Sequence, residues 1–282
     1  MITERTVEVL VRQQFPDLAH LPVRRVALDG WDNRSFRVGE ELVARLPSAA
    51  GYVAQVGKEI EWLPWLRARL PIPVPEILGV GEPSDQFPSP WTIRRWIPGE
   101  PYSASSERPV ELGAFLSGFL RELWSLDPVG PTPGPHSAFR GAAVTRWADE
   151  VVAAIKALPS AAERRQAEAV WAEAVAATAD ESSTLWLHGD IAPGNLLVHE
   201  GKVGAVIDFG CAAVGDPACD LAICWTDLDA PSRHRLREDL DVPDALWARG
   251  RGWALWKALI TVRDPVRGAT AAATLAALRV FD

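Results

Sequence analysis

The chain has 282 residues, 48% of them apolar, with a formal net charge of -8 and a pI near 5.3. That is enough apolar sequence to bury a sizeable core in two lobes or one large domain, and an acidic chain with dispersed arginines argues against a nucleic-acid surface. Apolar stretches are short and broken by charge or proline, and "MITERTVEVLVRQQF" has no signal-like apolar region, so a soluble cytoplasmic protein without a membrane segment is expected.

In chain order, residues 23–46, "VRRVALDGWDNRSFRVGEELVARL", read as three short strands joined by turns at Asp29-Gly30 and Gly39-Glu40, an antiparallel meander. From Tyr52, Val53, Val56, Ile60 and Leu63 recur at helical spacing, and Pro64 is expected to end or kink that helix. "VPEILGVGEP" and "PWTIRRWIPG" follow as two more strands. Residues to about Pro98 thus form a five-stranded sheet with one inserted helix. Beyond Gly99 the chain is mainly helical, with helices from Val110, around Trp147–Leu158 and Ala161–Ala177, then around 217–226, 244–262 and 269–279. A strand-loop-strand unit at 184–207 interrupts them. The expected architecture is α+β, with a small β-rich lobe over residues 1–98, a larger helical lobe over 99–282, and "WIPGEP" as the hinge. The 13 tryptophans, some paired at i,i+3 such as Trp62/Trp65 and Trp253/Trp256, are expected in the core or between lobes. Cys211, Cys219 and Cys224 lack zinc-ligand spacing and a disulfide-forming context, and are expected as packed, reduced thiols.

The chemistry concentrates in "LWLHGDIAPGNLLV", Leu185 to Val198, and "VGAVIDFGCAAVGDPACDLA", from Val203. Asp190 and Asn195 have the D-x-x-x-x-N spacing of a phosphoryl-transfer loop, and Asp208 follows at the end of the next strand, before Phe209-Gly210. Each motif alone is weak, since Asp and Asn are common turn formers. Two hairpin-connected strands would bring all three residues to one point. Phosphoryl transfer to an alcohol needs a carboxylate at the attacking hydroxyl and hard oxygens that hold Mg²⁺ against nucleotide phosphates. Asp190 fits the first role, Asn195 and Asp208 the second. His188 reads as a packed, hydrogen-bonded core residue.

"LHGDIAPGNLLV", "VIDFG" and "GDPACDLA" resemble the signature runs of the aminoglycoside phosphotransferase family, small-molecule kinases with a protein-kinase-like two-lobed fold. "VARLPSAAGYVAQVGKEIEWL" and "IPVPEILGVG" resemble its N-lobe, and the likeness runs from about Val26 to Trp256. It implies Asp190 as catalytic base, Asn195 and Asp208 as Mg²⁺ ligands, and Asp220 as a brace behind the catalytic loop. Arg45 would stand where protein kinases place a phosphate-binding lysine. Its helical carboxylate partner is expected to be Glu59, roughly 60° from Val56 around the helix, rather than Glu61 at roughly 140°. "DGWDNRSFRV" would cover the nucleotide phosphates, with Gly30 permitting close approach and amides through Ser35 facing them. Backbone groups of Arg95 and Ile97 would meet the adenine.

Two departures from protein kinases bear on the acceptor. Gly189 replaces the arginine of H-R-D, and only nine residues separate Gly210 from Asp220, too few for a peptide-docking segment. No protein substrate is expected. The resemblance implies ATP or GTP as donor and a small hydroxylated acceptor, cationic if it is an aminoglycoside, with carboxylates Asp149, Glu150, Asp227, Asp229 and Asp282 as candidate contacts or plain surface charges. Macrolides, choline-like alcohols, homoserine-like metabolites and sugars remain alternative acceptors, and a non-catalytic nucleotide-binding pseudokinase is the alternative of another class.

Overall fold

The computed structural model describes residues 2–27, 30, 32–103, 111–177, 179, 184–264 and 268–279. Asp29 of the first expected turn, the expected helix start at Val110 and the candidate Asp282 lie outside them.

The first element is a helix not expected from the sequence, α1 (Glu4–Gln14). Thr3 caps it by accepting from the Thr6 amide, and Thr6 reciprocates toward the Thr3 backbone. Val7, Leu10 and Val11 share one face and are fully buried. They join Phe36, Val38, Leu46 and Trp91 in a compact apolar cluster. That cluster lies against a sheet of β1 (Val23–Arg25), β2 (Asn33–Val38), β3 (Leu42–Pro47), β4 (Ile77–Gly81) and β5 (Trp91–Arg95). The order is β1-β2-β3-β5-β4 and every pairing is antiparallel, as the meander and the two later strands predict. At Gly81, paired with Trp91, a Cβ would stand 2.1 Å from the indole ring, so the bulky residue fits because its partner has no side chain.

Helix α2 (Val53–Arg67) is the inserted helix, and it runs through Pro64 to Arg67 instead of ending there. Pro64 removes one backbone donor, but Leu63 and Leu66 on either side are buried in the larger apolar cluster, which holds the last turn in place. The same cluster takes in Leu70 and Val74, so α2 and the segment after it bridge the two cores.

The helical part comprises α3 (Leu112–Trp124), α4 (Ala148–Lys156), α5 (Ala161–Ala176), α6 (Ile223–Thr226), α7 (Ala230–Asp239), α8 (Asp244–Thr261) and α9 (Gly268–Arg279). α7 was not expected; its polar sequence has little apolar periodicity, and its start is set by Asp229, which accepts from the Ser232 amide at 2.9 Å. α8 is the central support, packed by α4, α5 and α9 and by the 3₁₀ segment Pro217–Ala222. Its Arg249 forms a buried two-point pair with Asp216, at 2.7 and 3.1 Å. Two small sheets complete this part: β7 (Leu185–Leu187) with β10 (Ala213–Gly215), and β6 (Glu100–Pro101) with β8 (Leu196–His199) and β9 (Lys202–Val206).

Among the described residues tryptophans pack in groups such as Trp62, Trp65 and Trp186, with Trp65 stacked on Trp186 at 5.4 Å. All three cysteines are free, Cys219 and Cys224 fully enclosed, and burial pushes the Cys224 thiol up to about 12. No described helix is long and apolar enough to cross a membrane.

Candidate active site

Asp190, Asn195 and Asp208 converge: the β8–β9 hairpin pairs Leu196 with Val206 and so brings Asn195 and Asp208, at its two ends, to one place. β7, which leads to Asp190, pairs with β10, while β8 and β9 form the hairpin that leads to Asp208. The two units are joined by hydrogen bonds. The Ile207 amide donates to the Asn195 carbonyl at 2.9 Å, and His188 Nε2 reaches the Ile207 carbonyl at 3.1 Å. His188 Nδ1 in turn accepts from the Asp190 amide at 3.2 Å, which fixes the neutral tautomer with its proton on Nε2. Burial lowers the pKa of this histidine and keeps it uncharged, and Phe209 packs edge-on at 4.7 Å. It is the packed core residue that the sequence suggests.

Asp220 braces the loop from behind. Its two oxygens accept from the His188 and Gly189 amides at 2.8 and 2.7 Å. Burial pushes its carboxyl up to about 7 against these two donors. Gly189 has φ +84°, and a Cβ there would lie 2.5 Å from the Cys211 carbonyl and 2.9 Å from the Arg140 Cβ. Arg140 therefore occupies the space beside the loop where the H-R-D arginine would begin.

Asp190 keeps more than a third of its side chain exposed. Its Oδ2 accepts from Asn195 Nδ2 at 3.3 Å, and its carbonyl accepts from the same nitrogen at 2.9 Å. Its Oδ1 accepts from Lys257 Nζ at 3.3 Å. Burial acts to raise this carboxyl, but Lys257 and then Arg140 outweigh it and hold it below the usual value, so it is ionised.

Arg45 of β3 donates to Asp208 Oδ1 and stands 3.7 Å from Glu59 of α2. With its carboxamide oxygen turned toward the guanidinium, Asn33 accepts from Arg45 Nη2 at 2.9 Å and Nε at 3.2 Å. Glu59 faces Arg45 as the helical periodicity predicts, but its closer partner is Arg94 of β5, at 2.7 and 3.2 Å. Burial opposes charge on Glu59, yet Arg94 and then Arg45 bring its pKa down to about 2. The neighbouring Lys58 is buried and donates to the carbonyls of Gly210, Ala212 and His136 at 2.6, 2.8 and 3.2 Å, which ties α2 to the segment after Asp208. Burial lowers that ammonium to about 8.

The remaining residues expected at the nucleotide are Ser35, Gly30, Arg95 and Ile97. Ser35 pairs in register with Arg45 across β2 and β3. Gly30 accepts from Arg34 Nη1 at 2.7 Å, and a Cβ at Gly30 would meet nothing within 4 Å, so no contact within the protein demands glycine there. Asp32, in the same turn, accepts from Gln55 of α2 at 2.9 Å, and its carboxyl is raised by burial and by Asp208 and Asp190. At the hinge the Arg95 amide is taken by the Glu76 carbonyl at 2.9 Å, which leaves only its carbonyl for a base, while the Ile97 amide has no hydrogen-bond partner among the described residues.

Of the acceptor candidates, Glu150 accepts from the Trp256 indole at 2.7 Å, one residue from Lys257. Asp227 accepts from its neighbour Thr226 at 2.5 Å and Asp229 is the α7 cap, so both serve local structure; Asp149 is exposed on the first turn of α4.

Asp32, Gln55, Lys58, Arg94, Arg140 and Lys257 were not singled out from the sequence. For Arg94 a signal exists: an arginine in the strand "WTIRR" requires a carboxylate if it faces inward.

The donor set suits a magnesium ion. The Asp208 carboxylate and the Asn195 carboxamide oxygen, whose nitrogen is already committed to Asp190, are hard oxygens. No group of three or more His, Cys, Asp or Glu side chains among the described residues could hold a metal ion.

The family model described as the phosphotransferase enzyme family matches residues 23–253. No curated protein matches the chain. Among solved structures, the GDP complex of an aminoglycoside 2′-phosphotransferase-IIIa is 17% identical, with a TM-score of 0.73 and coverage of 98% of this chain and 97% of that one. An ADP-bound aminoglycoside phosphotransferase is 17% identical, with a TM-score of 0.63 over 99% of this chain and all of the other. The macrolide 2′-phosphotransferase of Brachybacterium faecium is 19% identical, with a TM-score of 0.62 and 99% of each chain covered. These likenesses show the protein-kinase-like fold.

Proposed function

The chain belongs to the phosphotransferase enzyme family, small-molecule kinases with an alcohol acceptor, and we propose that it moves the γ-phosphoryl group of ATP or GTP, with Mg²⁺, onto a hydroxyl of an aminoglycoside-like molecule. The observation that carries this reading is the joining of an ionised, partly exposed Asp190 to Asn195, beside an Asp208 whose carboxylate already serves as the anion for Arg45.

In this reading Asp190 orients the acceptor hydroxyl and accepts its proton as the phosphoryl group arrives. Asn195 and Asp208 would hold Mg²⁺, which when bound draws charge from the phosphate oxygens. Arg45 exchanges its contact with Asp208 for one with the nucleotide phosphates, held in place by Glu59 and Asn33. The carbonyl of Arg95 and the amide of Ile97 meet the base, and the turn from Gly30 to Ser35 covers the phosphates. The division into a nucleotide-binding lobe at 1–98 and a catalytic, acceptor-binding lobe at 99–282 belongs to the same proposal.

An aminoglycoside-like acceptor is supported by the net charge of -8 and by the kanamycin complex known for one similar fold. Because Lys257 borders Asp190, the amines of such an acceptor would turn away from the reacting hydroxyl, toward Glu150 and Asp149. The test is nucleoside diphosphate release from Mg²⁺-ATP and Mg²⁺-GTP across aminoglycosides, macrolides and small metabolic alcohols. Stimulation by a subset of aminoglycosides supports the reading; stimulation by a metabolite alone keeps the Asp190 chemistry and replaces the acceptor.

A further inference from the structure

We propose that Lys257 of α8 is a further catalytic residue, whose ammonium group hydrogen-bonds Asp190 and contacts the phosphoryl group as it passes to the acceptor hydroxyl. The inference rests on the reading of Asp190 as the hydroxyl-binding carboxylate.

Three observations carry it. Lys257 Nζ lies 3.3 Å from Asp190 Oδ1, while Asn195 takes Oδ2, so the lysine holds the carboxylate from the side opposite the proposed metal ligands. Both side chains are partly open, Asp190 at 39% and Lys257 at 35% exposure, so the cation faces the region that a reacting hydroxyl must enter. The loop between Asp190 and Asn195 reads Ile191, Ala192, Pro193 and Gly194, none of which can bring a positive charge to the transfer site. The two nearby guanidinium groups sit elsewhere, Arg140 with its Nη1 buried. Arg45 is held by Asp208 and Asn33 in the opposite part of the site, and Arg140 lies over the Trp253 and Trp256 rings at 5.3 and 4.7 Å.

The chemistry needs such a charge. The hydroxyl oxygen forms a bond to phosphorus as the bond to the bridging oxygen of the nucleotide breaks, and the hydroxyl proton passes to Asp190. The migrating group carries its negative charge on three equatorial oxygens, directly beside an ionised carboxylate. An ammonium bonded to that carboxylate offsets the repulsion and can donate to an equatorial oxygen without moving far. α8 holds the lysine rigidly, since Trp253 and Trp256 on the same helix are buried and Trp256 is bonded to Glu150.

The test uses the full chain with Lys257→Met and Lys257→Arg, and follows nucleoside diphosphate release from Mg²⁺-ATP or Mg²⁺-GTP, with water as acceptor and with the hydroxyl compounds named above. Removal of one such donor costs about 10²-fold in kcat. We expect that loss in Lys257→Met with KM for the nucleotide unchanged, substantial recovery in Lys257→Arg, and partial rescue of the methionine variant by added ethylamine, which a purely structural role would not give. If the methionine variant does not fold, Lys257→Gln is read the same way. A kcat within threefold of the wild type, or a change confined to the acceptor KM, overturns the proposal. If the wild type turns over and Asp190→Ala does not, while Lys257→Met is normal, only the lysine assignment fails. A wild type that binds Mg²⁺-nucleotide yet never releases diphosphate overturns the parent reading as well.

Discussion

Arg94 closes on Glu59 through two hydrogen bonds of 3.2 and 2.7 Å, with both side chains almost fully buried, and Arg45 is left 3.7 Å from the same carboxylate and bonded to Asp208. Glu59 is thus anchored without Arg45, so Arg45 can change partners between Asp208 and an incoming phosphate while the helix carboxylate stays ionised and in place.

Replacement of Arg94 by methionine should be strongly destabilising, by roughly 3–5 kcal/mol, because an ionised carboxylate is left in a dry site with one distant partner. Adding Glu59→Leu should recover most of the loss, since removing both charges spares the desolvation cost. Denaturant unfolding of the two single variants and the double variant gives the coupling directly. Additive losses would mean that Arg94 acts through its packing.

Lys58 should make stability depend on alkaline pH. Its ordinary pKa is 10.5 and burial lowers it to about 8 in the folded protein. Between these values the unfolded chain binds more protons than the folded one, so this lysine's contribution to stability rises from pH 8 to about 10.5. Below pH 8 the ammonium is buried at full cost, an effect of roughly 3 kcal/mol at about 1.4 kcal/mol per unit. Cys211 beside it is held near 12 and stays protonated across the window. The difference between wild type and Lys58→Met, measured by urea unfolding at several pH values, should grow in favour of the wild type across this range. A flat difference would rule out the shift.

Gly189→Ala should distort the catalytic loop. An alanine at φ +84° is strained, and its methyl would meet the Cys211 carbonyl at 2.5 Å, backbone that cannot swing aside. Asp220→Asn disturbs the same place by a different route, because its amide group would face one of two N–H donors, from His188 or Gly189. Both variants should lose kcat with little effect on nucleotide affinity, as read from turnover and from thermal shifts with Mg²⁺-nucleotide. Equal loss of nucleotide binding would place the loop's role elsewhere.

The sheet and the reactive run were legible because their signals are local. Strand alternation and turn residues mark β1 to β5, and Asp190, Asn195 and Asp208 stand at a telling spacing. Glu59 was found because helix periodicity reports which side chains share a face. Arg94, Lys58 and Lys257 were not, because each acts across a gap of many residues that no period encodes: Arg94 crosses to α2, Lys58 to residues 210 and 212, and Lys257 to the loop at 190. Of the two outcomes expected at Pro64, the helix does not end there, since the proline's cost is local while the burial of Leu63 and Leu66 that offsets it is tertiary.

The roles assigned to Asp190 and Asp208 separate in a paired experiment. Asp208→Ala removes the charged oxygen ligand, so Mg²⁺ should no longer strengthen nucleotide binding, and the thermal stabilisation given by Mg²⁺-nucleotide over nucleotide alone should vanish. It also frees Arg45 to pair more closely with Glu59, so nucleotide affinity without metal should change far less. Asp190→Ala leaves both oxygen ligands and Arg45 in place. The metal-dependent stabilisation should therefore persist, while turnover falls by roughly 10²–10⁴-fold from the loss of a positioned acid-base group. Asn195 loses a hydrogen bond to the Asp190 side chain but keeps the one to its carbonyl at 2.9 Å, so the ligand stays oriented. Calorimetric titration with and without Mg²⁺, beside single-turnover rates, reads both effects. An Asp190→Ala variant that retains turnover within a few-fold would remove this carboxylate from the chemistry, and one that loses metal-dependent binding would make it a ligand instead.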